Sequence, residues 1–117
     1  MINRISNSLS FKRVYIPENK ETKDNLDDIF NTKAKKKVFS LELSRLNHIS
    51  RNDDIILSTK LMNDNKKSDV RDYELIISDK KNKPIIGGIV ISNNDSIFSV
   101  TSIFGLLNEM LIQRFRR

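Results

Sequence analysis

The C-terminal stretch IFSVTSIFGLLNEMLIQRF, residues Ile97–Phe115, decides the fold of this 117-residue chain. Plotted at about 100° per residue, its large apolar side chains fall on one side of a helix. That side carries Ile97, Val100, Ile103, Phe104, Leu107, Met110, Leu111 and Phe115, and the other carries Thr101, Ser102, Gly105, Asn108, Glu109 and Gln113. An apolar arc of this width predicts a long helix that packs across a sheet.

Alternating apolar and polar residues upstream predict the strands of that sheet. The alternation is clear at residues 38–44, 55–62 and 70–77, and it is weaker at residues 9–16. Polar, turn-forming residues separate most of these segments. Because the connections between successive strands are short, the strands are expected to form an antiparallel meander.

Residues 84–91, PIIGGIVI, form the last predicted strand and are apolar on both faces. Such a strand fits best inside a sheet. The adjacent Gly87 and Gly88 predict a bulge or a close approach of the C-terminal helix. Residues 96–100 leave a second interpretation open, because they also fit a fifth short strand, with the final helix then starting near Ser102.

A shorter and thinner helix is predicted near the N-terminus. Asn19 or Thr22 can cap its start, and it is expected to run to about Lys36. Acidic residues occupy its first half and lysines its last turns, the order that the helix dipole favours. Its apolar stripe consists of Leu26, Ile29 and Phe30, and Ala34 can extend it.

These elements predict a single α+β domain with the order β-α-β-β-β-β-α. An antiparallel meander of four to five strands carries the long C-terminal amphipathic helix on one face, and the shorter helix lies beside it. The domain is expected to span residues 9–117, and residues 1–8 are expected to form a flexible arm.

Composition limits the classes of function. The chain has a net charge of +6 and no cysteine. It therefore has no disulfide framework and no thiolate metal site. No secretory signal is recognisable, and the longest apolar run is too short to cross a bilayer. A basic, cytoplasmic protein without membrane insertion is expected.

No residue pattern indicates catalysis. His48 is the only histidine and lies in a polar stretch, which is typical of a solvated side chain. Asp72 and Glu74 share a strand face near Asp79, but outward polar residues are normal there. The two adjacent glycines lack the lysine and hydroxyl of a phosphate loop. The sequence therefore predicts no catalytic residue, no metal site, no cofactor and no enzyme activity.

A non-enzymatic protein–protein interaction module is the favoured function. It would bind a protein partner, or a second copy of itself as a homodimer, through the sheet edge or the C-terminal helix. Phe98, Leu106 and Ile112 fall at or beyond the edges of the apolar arc, so they are expected to be exposed and to contact the partner.

The alternative is a nucleic-acid-binding protein that contacts RNA or DNA phosphates. Its candidate residues are Lys33, Lys35, Lys36, Lys37, Arg114, Arg116 and Arg117. Contacts of this kind would make the affinity fall steeply with salt. The acidic stretch between residues 18 and 28 weakens this hypothesis, because it mixes the sign of the charge.

Overall fold

The computed structural model describes residues 14–50, 54–64 and 69–115 of the chain. Its elements in order are β1 (Val14–Tyr15), α1 (Lys20–Ile29), α2 (Lys33–Ile49), β2 (Ile55–Asp64), β3 (Arg71–Asp79), β4 (Pro84–Ser92) and α3 (Ile97–Phe115). The domain is α+β, as predicted. The predicted arm at residues 1–8 and the first part of the predicted strand at residues 9–16 lie outside the described residues.

The sheet has four strands in the order β1-β2-β3-β4 and is mixed. β2, β3 and β4 form the predicted antiparallel meander, but β1 runs parallel to β2, with Val14 opposite Ile55. A parallel pair needs a long crossover connection, and two helices separate β1 from β2. The prediction of a purely antiparallel sheet is therefore wrong, and the order is β-α-α-β-β-β-α.

Residues 38–44 lie inside α2, so the strand predicted there is wrong. The side of α2 that faces the core carries Lys35, Phe39, Glu42, Leu43 and Leu46, at helical spacing. Two of these positions are polar, and the outward Leu41 is apolar and 60% exposed. Because polar residues lie on the buried side and a leucine on the exposed side, the sequence does not show the helical period. It shows instead an alternation of apolar and polar residues that resembles a strand.

The single helix predicted up to Lys36 is two helices, α1 and α2. The Asn19 side chain caps α1 as predicted, with its Oδ1 accepting from the Thr22 amide at 2.8 Å. α1 ends at Ile29 with Phe30 as its C-cap, and the Thr32 hydroxyl caps α2 by accepting from the Lys35 amide. The lysines that were expected at a helix C-terminus therefore lie at the N-terminus of α2.

β4 is an edge strand, whereas its apolar sequence predicted a place inside the sheet. The predicted bulge is present, because the register with β3 shifts near Leu75 and Gly88 has a φ of 78°. α3 does not approach the glycine closely, since a Cβ built on Gly88 meets no atom within 4 Å. The bulge alone explains why a glycine is needed there.

α3 is helical from Ile97 to Phe115, so residues 96–100 do not form a fifth strand. The Ser96 hydroxyl accepts from the Ser99 amide at the start of the helix. Val100, Phe104, Leu107 and Leu111 are fully buried against the rest of the molecule. The Phe104 ring lies 6.2 Å, between centroids, from Phe30 and from Phe39, which stack on each other at 4.2 Å.

Candidate functional site

The side of α3 that points away from the core carries exposed apolar side chains. Phe98 is 86% exposed, Leu106 54% and Ile112 39%, so all three predicted contact residues are accessible. We call the surface formed by Phe98, Gly105, Leu106, Glu109 and Ile112 the outer face of α3. That these residues bind a partner remains a prediction.

The buried arc of α3 is turned towards α2 relative to the prediction. Ile97 and Met110, which were expected to be buried, are exposed, and Asn108, which was expected to be exposed, is buried. The Asn108 amide Nδ2 donates to Glu42 Oε1 across the helix pair at 3.4 Å, and Arg45 Nη1 contacts Glu42 Oε2 at 3.4 Å. A polar contact between α2 and α3 thus lies beside the apolar contact of Phe39 with Phe104.

The surface formed by β4 and by α3 up to residue 113 carries no basic side chain of these two elements. Residues 84–113 contain no lysine or arginine, although the chain has 21 of them. On the outer face of α3 the charged residue is Glu109. This surface is therefore unsuited to phosphate or to an anionic membrane, and it suits an apolar protein contact.

Two backbone amides of β4 donate hydrogen bonds to carboxylate side chains. The Ser92 amide donates to Asp95 Oδ2 at 2.7 Å, and the Gly88 amide donates to Glu74 Oε2 at 2.7 Å. Together with the bulge, these bonds make β4 a poor template for an added strand. Asp72 accepts from the Ser92 hydroxyl. Both acids considered on β3, Asp72 and Glu74, therefore have hydrogen-bond partners within the protein.

The described residues contain no cluster of three or more histidine, aspartate and glutamate side chains able to hold a metal ion. His48 is exposed near the end of α2. Its exposure agrees with the interpretation of a solvated histidine.

The predicted basic cluster is divided in the structure. Lys33, Lys36 and Lys37 are exposed at the start of α2. Lys35 is buried, and its Nζ donates to the backbone oxygen of Asn93 at 3.1 Å. Lys35 therefore serves the fold and is not free to contact phosphate.

The lysines and Arg114 lie at opposite ends of the α2–α3 pair. Contacts of Phe39 with Phe104 and of Glu42 with Asn108 show that the two helices run side by side in the same direction. The lysines are at the N-terminal end of α2, and Arg114 is at the C-terminal end of α3. Arg116 and Arg117 lie outside the described residues.

A polar network centred on Asp28 was not predicted from the sequence. Its carboxylate accepts from Arg71 Nε at 2.8 Å and Nη2 at 3.0 Å, and from the Tyr73 hydroxyl at 2.5 Å. The Arg71 guanidinium lowers the pKa of Asp28 to about 2, against the opposing effect of partial burial. Burial, followed by the adjacent Asp28, raises the pKa of Tyr73 to about 12.

Asn93, in the turn before α3, extends this network. Its side-chain Nδ2 donates to Asp28 at 3.3 Å, and its Oδ1 accepts from the Arg71 amide. Its backbone oxygen accepts from the Asn31 side chain and from Lys35. The groups satisfy one another and join α1, α2, β3 and the start of α3, so the network holds the fold together.

A groove of about 740 Å³ lies between α1, α2 and the segment before α1, and it was also not predicted. Its floor is apolar, and its rim mixes charges of both signs. The floor consists of Ile16, Pro17, Leu26, Phe30 and Phe39, and the rim of Glu18, Asn19, Lys20, Lys23, Asp27, Lys36 and Ser40. The mixed rim does not select an anion or a cation.

Comparison with known proteins gives no relative from which a function could be transferred. The sequence matches no protein family, and neither the curated proteins nor the solved structures contain a significant match. Within the described parts of the chain, no helix combines the length and the apolar character that crossing a membrane requires.

Proposed function

We propose that this chain is a non-enzymatic, cytoplasmic protein-interaction module that binds a protein partner through the outer face of α3. The observation that carries the proposal is the exposure of Phe98, Leu106 and Ile112 on a helix whose opposite side is fully buried. An apolar patch of this kind is typical of an interaction site.

The size of these side chains sets the free energy that a partner gains by covering them. Transferring a large apolar side chain from water into a contact is worth roughly 1.5–3 kcal/mol when its burial is complete. Phe98 exposes most of its surface, so a partner that covers it gains close to that amount. A few such anchors supply most of the affinity in a typical protein interface.

The same observations favour α3 over the sheet edge. Two backbone amides of β4 already donate to Asp95 and Glu74. Among the described residues no carboxylate engages the outer face of α3 in this way, and Phe98 there is 86% exposed. We therefore place the contact on the helix.

Photo-crosslinking in the source cells tests this proposal. A photoreactive amino acid replaces Leu106 in one variant and Met62, on β2, in a matched control, because both side chains are 54% exposed. We expect protein adducts from position 106 and few from position 62. Equal yields from the two positions, or no protein adduct from position 106, would contradict the proposal.

Nucleic-acid binding remains the second candidate, because Lys33, Lys36 and Lys37 are exposed in the first turns of α2. The helix dipole adds to their positive potential there. The test is titration of generic RNA and DNA at several salt concentrations. A steep loss of affinity with salt, and loss of binding when the three lysines become glutamate, would support it. No binding at low salt would exclude it.

A further inference from the structure

We propose that the outer face of α3 binds a second copy of this chain, forming an antiparallel helix pair whose twofold axis passes beside Gly105. The inference rests on the proposed function and names its partner. It follows from three features of α3: an unexplained glycine, the symmetric placement of two large apolar residues around it, and the distribution of charge.

Gly105 lies in the middle of a 19-residue helix without a reason inside the molecule. A Cβ built on it meets no atom within 4 Å, so the packing of the chain does not require a glycine here. Glycine in a helix interior costs about 1 kcal/mol relative to alanine. A second backbone that approaches closely at this point would explain why a side chain is absent.

Phe98 and Ile112 lie at equal distances on either side of Gly105. Each is seven residues away, which is about two helical turns, so all three residues share one side of α3. In an antiparallel pair centred on Gly105, Phe98 faces the partner's Ile112, and the same contact recurs at the other end. A surface complementary to itself in this way is what a twofold dimer requires.

Charge favours this surface and this orientation. Each copy carries a net charge of +6, yet residues 84–113 have no lysine or arginine, so two copies can approach here with the least repulsion. Antiparallel pairing places Glu109 opposite the partner's Thr101. Parallel pairing would place the two Glu109 carboxylates opposite each other and would align the helix dipoles unfavourably.

The size of the contact indicates a weak dimer. α3 has 19 residues and is therefore about 28 Å long. One pair of such helices buries less than the roughly 800 Å² per partner of a standard interface. Because salt screens the repulsion between two basic copies, self-association should strengthen as salt is raised. Binding to nucleic acid would show the opposite dependence.

Sedimentation of the full chain over a range of protein and salt concentrations tests the dimer. We expect concentration-dependent self-association of the wild type, and a loss of at least about tenfold in affinity for Gly105→Leu. Because space is open at Gly105 and leucine favours helix, the thermal stability of the Gly105→Leu monomer should be unchanged or higher. Phe98→Glu, which places an acid in the first turn, should also fold and fail to dimerise.

Met62→Gln is the matched control, because it changes an exposed apolar residue on a different element and should dimerise as the wild type does. Orientation is tested by mixing Thr101→Cys and Glu109→Cys variants, since the chain has no cysteine of its own. Antiparallel pairing predicts a disulfide between the two variants. A disulfide within each variant alone would overturn the antiparallel arrangement.

A monomeric wild type at every concentration, or undiminished association of Gly105→Leu, would overturn the inference. Its failure is distinguishable from that of the proposed function. A monomeric chain that crosslinks from position 106 to a different protein refutes the dimer and supports the module. A monomeric chain without any protein adduct from that position refutes both.

Discussion

At the scale of single residues, Asp28 shows what a local pattern cannot reveal. Its carboxylate binds Arg71, Tyr73 and Asn93, which follow it by 43, 45 and 65 residues. In the sequence it is one more acid in a thin amphipathic helix, where a solvated charge is expected. Only the fold, which brings α1 against β3, makes Asp28 the centre of a network.

The lowered pKa of Asp28 predicts how the stability depends on pH. The usual pKa is 3.8, and that of the folded state is about 2. Above pH 3.8 the stabilisation is fully present. As the pH falls, the unfolded state binds a proton first, so stability is lost progressively and the contribution is gone below about 2.

Replacing Asp28 by asparagine should therefore lower the free energy of unfolding at neutral pH by roughly 1–2 kcal/mol, because partial exposure reduces the full effect. It should also flatten the pH dependence of stability in the acid range. Denaturant unfolding at several pH values measures both. Asp24→Asn, in an exposed pair with Lys20, is the control and should change little. An acid profile of Asp28→Asn equal to the wild type would contradict the assignment.

Phe98, Leu106 and Ile112 illustrate what a sequence does reveal at this scale. Their exposure depends on the geometry of one helix, which the spacing of its apolar residues defines. The exchange of Met110 and Asn108 between buried and exposed positions depends on where α2 lies. Such a position follows from the packing of distant segments, and a helical wheel does not contain it.

At the scale of elements, α2 is the clearest disagreement between pattern and structure. Read as a strand, residues 38–44 place Phe39, Leu41 and Leu43 on one face. In the helix, Leu43 is 2% exposed and Leu41 is 60% exposed. The polar side chains of Lys35 and Glu42 can be buried because each has a hydrogen-bond partner. Lys35 donates to the backbone oxygen of Asn93, and Glu42 accepts from the Asn108 side chain.

This difference gives a matched pair of variants. Leu43→Ala should destabilise the protein by about 2–5 kcal/mol, the usual cost of truncating a buried leucine. Leu41→Ala should stay within about 0.5 kcal/mol of the wild type. Denaturant unfolding of both variants distinguishes the helix from a strand. If these residues formed a strand, the two variants would lose similar amounts of stability.

The break between α1 and α2 depends on the Thr32 cap. The Thr32 hydroxyl accepts from the Lys35 amide at 3.1 Å and satisfies one free donor of the first turn. Thr32→Ala should lower stability by roughly 0.5–2 kcal/mol, while Thr32→Ser keeps the hydroxyl and should cost less. Equal losses for alanine and serine, measured by thermal unfolding, would show that the cap does not act through this bond.

At the scale of the whole molecule, the sequence predicts the α+β class and the long C-terminal helix packed on the sheet. Of the predicted antiparallel meander of four to five strands, β2, β3 and β4 are present. Each depends on local periodicity or on a short connection. The parallel pairing of β1 with β2 and the edge position of β4 were not predicted. Both are set by long-range pairing, for which a residue pattern offers no signal.

The arrangement of the whole molecule also separates its surfaces by charge. Exposed lysines lie at the start of α2, while β4 and the outer face of α3 lack basic residues. In a protein with a net charge of +6, this is the surface on which we propose that another copy binds. That surface carries the exposed side chains of Phe98, Leu106 and Ile112.

The most direct test of this account is to map the amide NMR signals of the labelled chain while it is diluted. The account predicts that signals from the outer face of α3, around Phe98, Gly105 and Ile112, move with concentration while those of β2 stay fixed. Signals that do not move at all, or that move around Lys36 or along β4, would contradict it.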